Sequence, residues 1–251
     1  MSGAETVSSA VYPIPQNPSQ VSEQALEAVK RALDDGITRQ RLELLLPLTG
    51  ATDLDDWPGG VRQQFKAVLP MVESILRRLK VLSKLQGALN AEIWDQGDAV
   101  GAWGSDKLAA VVFLTPETIP KMRALAEGKS LVLMINPQWQ PGQLISDFGF
   151  GRRKRNAEEF VSAFQDTYFL KQFRIFGDNV RLLRAYPGDW QVHLVDAKGR
   201  STCIATQATR PSYKELEQLL KAQANSNSNK SWVERLQSEF AFNRDSLRRP
   251  P

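Results

Sequence analysis

The sequence predicts a mixed α/β fold (α+β in arrangement), with a parallel βαβ part toward the N-terminus, an antiparallel C-terminal meander and helices on the faces. Three observations carry this. Two apolar runs, Leu108–Leu114 and Leu131–Ile135, flank a helical segment over Pro116–Glu127. Strand, helix, strand at that spacing builds βαβ units on a parallel sheet. After Phe169, short strand-like stretches are separated by Gly177-Asp178-Asn179, Pro187-Gly188-Asp189 and Lys198-Gly199, each a strong turn signal.

In chain order, residues 1–20 are rich in Ser, Pro, Ala and Gln without an apolar period, and read as a disordered lead-in. Ser22 is expected to cap a helix carrying Ala25, Ala28, Val29, Ala32 and Leu33 at helical spacing, stopped by Gly36. The run Arg39-Gln-Arg-Leu-Glu-Leu-Leu-Leu alternates, with Leu42, Leu44 and Leu46 on one face and Pro47 ending the strand. Asp55 and Asp56 before Trp57-Pro58 start a helix with Val61, Phe65, Val68, Leu69, Val72, Ile75 and Leu76 inward, which Pro70 is expected to kink or split.

Ala91–Trp94 is a further strand, and Asn156–Thr167 a helix with Phe160, Val161 and Phe164 inward. The meander then uses Phe169–Phe176, Val180–Tyr186, Trp190–Val195 and Ser201–Thr206, as three or four strands. Pro211 and Ser212 open a helix through Ala222. The domain reading is a single α/β domain over 21–222, a flexible Asn/Ser linker at 223–230, and a terminal amphipathic helix and tail over 231–251, docking on its own domain or on a partner.

Composition narrows the chemistry. The longest apolar run falls far short of the roughly 20 residues that span a bilayer. No Lys or Arg precedes Lys30 and no apolar segment follows Met1, so neither a secretory signal nor an Arg-rich transit peptide is expected. One cysteine, Cys203, excludes an internal disulfide and fits a reducing compartment. With His193 the only histidine, a His/Cys zinc or iron site is close to excluded, because it needs three or four such ligands. Residues 1–130 hold 14 Lys+Arg against 16 Asp+Glu, and residues 131–251 hold 18 against 12. The C-terminal half is therefore where an anionic surface or acidic partner would dock.

The stretch Asn136-Pro-Gln-Trp-Gln-Pro-Gly-Gln-Leu-Ile-Ser-Asp-Phe-Gly-Phe-Gly-Arg-Arg-Lys-Arg155 supplies the candidate binding residues. Loops of this length are usually functional or disordered. Asn136, Gln138 and Trp139 follow the carboxyl end of a parallel strand, the edge where open α/β sheets bind ligands. The competing reading is structural, with Trp139 plugging the sheet end and Asn136 tying the loop to backbone. Arg152, Arg153, Lys154 and Arg155 lie just before a helix expected to begin near Asn156. Cations there oppose the helix dipole unless an anion offsets them. Nucleic acid is disfavoured, because no strand interleaves basic and aromatic residues. His193 and Cys203 become cross-strand neighbours only if the loop between their strands is the three residues Ala197-Lys198-Gly199. No third group orients the histidine, so catalysis by that pair is not expected. Gly59-Gly60 lacks the Walker Lys and Ser, and Gly149-Phe-Gly151 has only two of three Rossmann glycines.

Three segments, RLELLLPL at 41–48, VLMINPQW at 132–139 and LRAYPGDWQV at 183–192, occur in this order. They resemble a domain-of-unknown-function family of cyanobacteria, algae and plants. That family includes the LOW PSII ACCUMULATION photosystem II assembly protein and a domain fused to chloroplast adenylate kinase. The likeness covers roughly residues 15–210 and brings Tyr186, Asp189 and Trp190 into the candidate binding set. It implies no catalytic residue and no cofactor. It implies a cyanobacterial cytoplasmic or plastid stromal protein, peripheral at the thylakoid membrane. Its partners would be photosystem II subunits or assembly factors, or an anionic lipid surface. The alternative is a nucleotide or small-molecule binding domain, even an enzyme, with its site at Asn136–Trp139.

Overall fold

The computed structural model describes residues 11–46, 60–82, 85, 88–139, 151–196, 198–223 and 226. Its elements are α1 (Pro18–Asp34), β1 (Arg39–Glu43), α2 (Gly60–Leu82), β2 (Asn90–Asp95), β3 (Val100–Gly104), β4 (Leu108–Val112), a 3₁₀ turn (Pro116–Thr118), α3 (Ile119–Leu125), β5 (Leu131–Ile135), α4 (Arg152–Ser162), β6 (Gln165–Ile175), β7 (Asp178–Ala185), β8 (Trp190–Val195), β9 (Ser201–Gln207) and α5 (Tyr213–Lys221). Among the described residues nine strands form a mixed sheet in the order β2-β3-β4-β5-β1-β6-β7-β8-β9, the mixed α/β class that the sequence predicts. The chain divides into two compact units, Pro15–Phe169 and Met1–Ile14 with Leu170–Pro251.

In the first unit β1 runs parallel to both β5 and β6, and β4 is parallel to β5. Both β4 and β5 are buried along their length, as parallel strands covered on both faces must be. Ile119, Met122, Phe160, Val161 and Phe164 of α3, α4 and the residues after it pack with Ala109, Val111, Val132 and Met134 on one face. On the other face the Gln40 amide donates to Val29 O of α1 at 3.2 Å. Strand β3, which the sequence reading did not anticipate, pairs antiparallel with β2 and β4. Its glycines mask it, since glycine is depleted in strands, but packing requires at least one of them. A Cβ at Gly101 would meet the Phe65 ring of α2 at 2.6 Å, and that ring stacks on Trp103 at 6.4 Å.

Several boundaries differ from the sequence reading. Helix α1 starts at Pro18, so residues 18–20 are its first turn, not lead-in. Its cap is Asn17, whose side chain accepts from Gln20 N, and not Ser22. Ser22 is buried inside the helix and donates to Pro18 O at 2.9 Å. The ladder of β1 ends at Glu43, short of Leu46. Pro70 does not split α2, which continues through it with the proline exposed. The acidic start at Asp55 and Asp56 lies outside the described residues. Helix α4 begins four residues early, at Arg152, so the basic block is its first turn. Gly151 precedes it at φ 68°, a backbone region open to glycine. Thr167 belongs to β6, where its buried hydroxyl donates to Gln40 Oε1 at 3.0 Å. Pairing with β1 claims this segment for the sheet, a tertiary demand that helical periodicity does not register.

In the second unit residues 170–175 of β6 continue into β7, β8 and β9. β7 pairs antiparallel with β8, and β8 with β9. Leu216 and Leu220 of α5 are buried. Ser212 and Glu215 form a capping box that starts α5 at the expected place. Residues at the chain's start join this unit: Tyr12 N–H donates to Gln191 Oε1 at 3.1 Å, and a Cβ at Gly188 would meet the Tyr12 ring at 2.6 Å. After α5, buried Ser226 donates to Asp178 at 2.6 Å. The expected terminal helix over 231–240 lies outside the described residues.

Candidate functional site

Asn136 and Gln138 follow β5 directly, and both side-chain amides are engaged with backbone. Asn136 adopts φ 44°, a left-handed conformation that Asn tolerates. Its Nδ2 donates to Leu44 O and its Oδ1 accepts from Leu44 N, each at 2.8 Å. The side chain thus extends the β1–β5 ladder beyond its last backbone bond, Asn136 N to Leu42 O at 2.9 Å. Gln138 Nε2 donates to Asp98 O at 2.8 Å and to Phe113 O at 3.0 Å. It ties the β5 exit to the β2–β3 turn and to the end of β4. Trp139 is buried in the apolar cluster with Val132, Met134 and Ile119. These three residues hold the strand ends together.

Beside them lies a charged cluster absent from the sequence reading. Arg41 is 7% exposed in the central strand. Its Nε stands 3.6 Å from Asp166 Oδ1 on β6, its Nη2 3.9 Å from Glu43 Oε2, and Nη2 reaches Trp139 O at 3.5 Å. These separations fit ion pairs but exceed hydrogen-bond lengths. Arg41 Nε and Asp166 Oδ1 are buried without a hydrogen bond. Cross-strand partners share a face, and Arg41 pairs with Met134, so the cluster lies on the α3/α4 side. It is a guanidinium between two carboxylates at the carboxyl end of a parallel sheet, with Arg41 Nε and Asp166 Oδ1 left without a hydrogen bond. Its signal in the sequence was the alternation Arg39, Arg41, Glu43, which reads as a solvent face until the strand is known to be central.

The basic block occupies the first turn of α4. Arg152 and Arg155 are exposed, and their side chains form no ion pair among the described residues. Lys154 is half-buried and stands 4.0 Å from Glu158. The side chain of Arg153 lies outside the description.

The remaining candidates lie in the second unit. Tyr186 and Asp189 flank the β7–β8 turn, which contains a cis Tyr186–Pro187 bond. Trp190 opens β8 and is buried, with the guanidinium carbons of Arg184 and Arg210 at 5.5 and 5.6 Å from its ring. The β8–β9 loop closes with Asp196 N bonding Arg200 O, leaving Ala197-Lys198-Gly199 between. His193 therefore pairs with Cys203. His193 Nε2 bonds to Gln191 Oε1 at 3.2 Å. That oxygen also accepts from Tyr12 N–H, so Nε2 carries the proton, and Nδ1 is buried without a partner. Desolvation, then the nearby Arg181 charge, pushes the imidazole down to about 4. The Cys203 thiol turns to Ala205 O at 3.5 Å.

An open cavity of about 390 Å³ lies elsewhere, lined by Asn90, Glu92, Trp94, Ser105, Asp106 and Lys129 among others. It sits at the start of β4 and β5, the end opposite Asn136. The described residues contain no cluster of three or more His, Cys, Asp or Glu able to hold a metal, and no helix among them is long and apolar enough to cross a membrane.

A family model for a domain of unknown function, DUF1995, matches residues 15–218. The chain belongs to the DUF1995 family. No curated protein and no solved structure matches it. The DUF1995 match takes in the Arg41 cluster, the basic turn of α4 and the Trp190 arginines, and ends inside α5.

Proposed function

We propose that this DUF1995 protein is a non-catalytic accessory factor in photosystem II biogenesis, binding a partner protein or the membrane surface through the basic first turn of α4. The observation that carries the reading is the exposed pair Arg152 and Arg155, without ion partners in the described fold, at a helix end whose dipole repels cations. An anionic surface supplies the missing charge, at roughly 1 kcal/mol per cation near an anionic leaflet. The photosynthetic setting rests on the resemblance carried by residues 41–48, 132–139 and 183–192. The test is a pull-down of the tagged protein from its native membrane fraction, with and without Arg152, Arg153, Lys154 and Arg155 changed to Ser. It is paired with gene deletion and quantification of assembled photosystem II. Unchanged capture by the Ser variant, or unchanged photosystem II after deletion, refutes the reading.

The second reading, a small-molecule or nucleotide site at the strand ends, is favoured by the loosely paired Arg41, Glu43 and Asp166 beside Trp139. A thermal-shift screen with nucleotides and pigment precursors tests it. Stabilisation by several degrees that disappears in Glu43→Gln supports a ligand there. Trp139→Ala is a poor probe, because that ring is core.

A further inference from the structure

Strand β2 is one edge of the sheet, and no strand lies beyond it among the described residues. The register fixes which of its backbone groups face outward. Ser105 N–H donates to Leu108 O at 2.8 Å, closing the β3–β4 hairpin. Backbone groups alternate between the two sides of a strand, so Gly104 and Ala102 turn theirs toward β2, where they pair with Asn90 and Glu92. Ala91 and Ile93 therefore present N–H and C=O to the outside, and neither has a hydrogen-bond partner there among the described residues. Edges are often blunted by Lys or Pro. β2, Asn-Ala-Glu-Ile-Trp-Asp, has neither, and its bulge comes after Ile93. On one face Ile93 is 50% exposed. On the other, Asn90, Glu92 and Trp94 line the open cavity of about 390 Å³ together with Asp106 and Lys129. Glu92 Oε2 accepts from Trp94 Nε1 at 3.1 Å, which sets a carboxylate beside the indole. Glu92 and Asp106 are exposed and form no ion pair among the described residues. The Lys129 ammonium donates to Ser105 O at 2.7 Å.

We propose that the β2 edge binds an extended, basic segment of a partner protein as an added strand, with one lysine or arginine side chain of that segment in the cavity beside Glu92 and Trp94. Strand addition gains affinity from main-chain hydrogen bonds and specificity from pockets for alternate side chains. Ala91 and Ile93 supply the first and the cavity supplies the second. Side chains alternate faces with a period of two, so a strand beyond β2 sets every second side chain on the Asn90, Glu92 and Trp94 face. A cation there meets the Glu92 carboxylate in a charge-assisted hydrogen bond and the Trp94 ring in a cation–π contact. Charge also selects against a second copy of this chain. Two β2 strands side by side bring Glu92 and Asp95 of each together with no cation in either strand. This edge is opposite in charge to the α4 turn, and the inference stands without that reading.

The experiment pans a display library of randomised linear peptides on the full chain and measures the selected sequences, as synthetic peptides, by fluorescence anisotropy. The expected sequences alternate β-branched or aromatic residues with polar ones and hold Lys or Arg at one fixed position. Ala91→Pro deletes an outward N–H and leaves the β3 ladder intact, and affinity falls about tenfold. Glu92→Gln weakens the basic peptide about tenfold and leaves unchanged a counterpart with norleucine in place of the cation. N-methylation of the peptide at alternate residues reads the geometry directly. One set of positions abolishes binding and the other leaves it, which is the two-residue phase of a strand. Should Ala91→Pro fail to fold, the N-methyl series on the wild-type chain decides the matter. The proposal is overturned if basic peptides are not enriched, if N-methylation shows no such phase, or if Ala91→Pro or Glu92→Gln binds the basic peptide as wild type does. Binding of lysine methyl ester as tightly as the peptide overturns it too, and reassigns the cavity to a small cation.

Discussion

The Asn136 side chain bonds both backbone groups of Leu44, N–H and C=O, at 2.8 Å each. One amide does the work of a further residue of ladder where β1 and β5 have diverged. Asn136→Ala leaves a buried donor and acceptor unmet and places a β-carbon at φ 44°. A loss of about 3 kcal/mol is expected. Asn136→Gly, free of the backbone strain, loses less. Urea denaturation of the two variants checks the order; an Ala variant as stable as wild type removes the structural role.

Arg41 holds two carboxylates in a buried setting. Arg41→Met strands Asp166 and costs about 3 kcal/mol. Adding Asp166→Asn removes the stranded charge, so the double variant is more stable than Arg41→Met alone. A double-mutant cycle by chemical denaturation measures this. Additive losses would mean the groups do not interact despite their 3.6 Å separation.

His193 makes stability depend on pH. Its folded imidazole titrates near 4, an unfolded one near about 6.5. The unfolded chain takes the proton first, so the contribution is fully present above about pH 6.5 and is lost as pH falls toward 4. The loss is on the order of 2 kcal/mol. Stability curves at pH 7 and 4.5 for wild type and His193→Gln check it: the pH-dependent loss shrinks in the variant. An equal slope in both assigns the acid sensitivity to other groups.

Arg152 pits binding against stability. At the first position of α4 it opposes the helix dipole, so Arg152→Ser is expected to raise stability by about 0.3–1 kcal/mol while lowering capture of the anionic partner. Thermal unfolding and the pull-down, on the same preparation, read both. A variant that loses stability shows that the cation is held by the fold itself.

What was legible beforehand was local. The runs Leu108–Leu114 and Leu131–Ile135 announced buried strands, the glycine turns marked the meander, and Pro211 with Ser212 marked the start of α5. The pairing of His193 with Cys203 hung on one loop length, and the β8–β9 register decided it. Strand β3 was illegible because Gly101 answers to Phe65 of α2, a residue far away in the chain. Trp190 was visible as a motif residue, but the two arginines that meet its ring come from different elements.

By itself the sequence determined most of the element types and the places of the meander's turns, because hydrophobic period, caps and glycine conformations act over a few residues. Only the tertiary structure decided that β1 is central. Its alternating face of Arg39, Arg41 and Glu43 suits an exposed strand. Parallel pairing with β5 on one side and β6 on the other, with helices on both faces, takes Arg41 out of water. The physical reason is that burial belongs to a residue's neighbours in space, and no period along the chain encodes which strands will stand beside it.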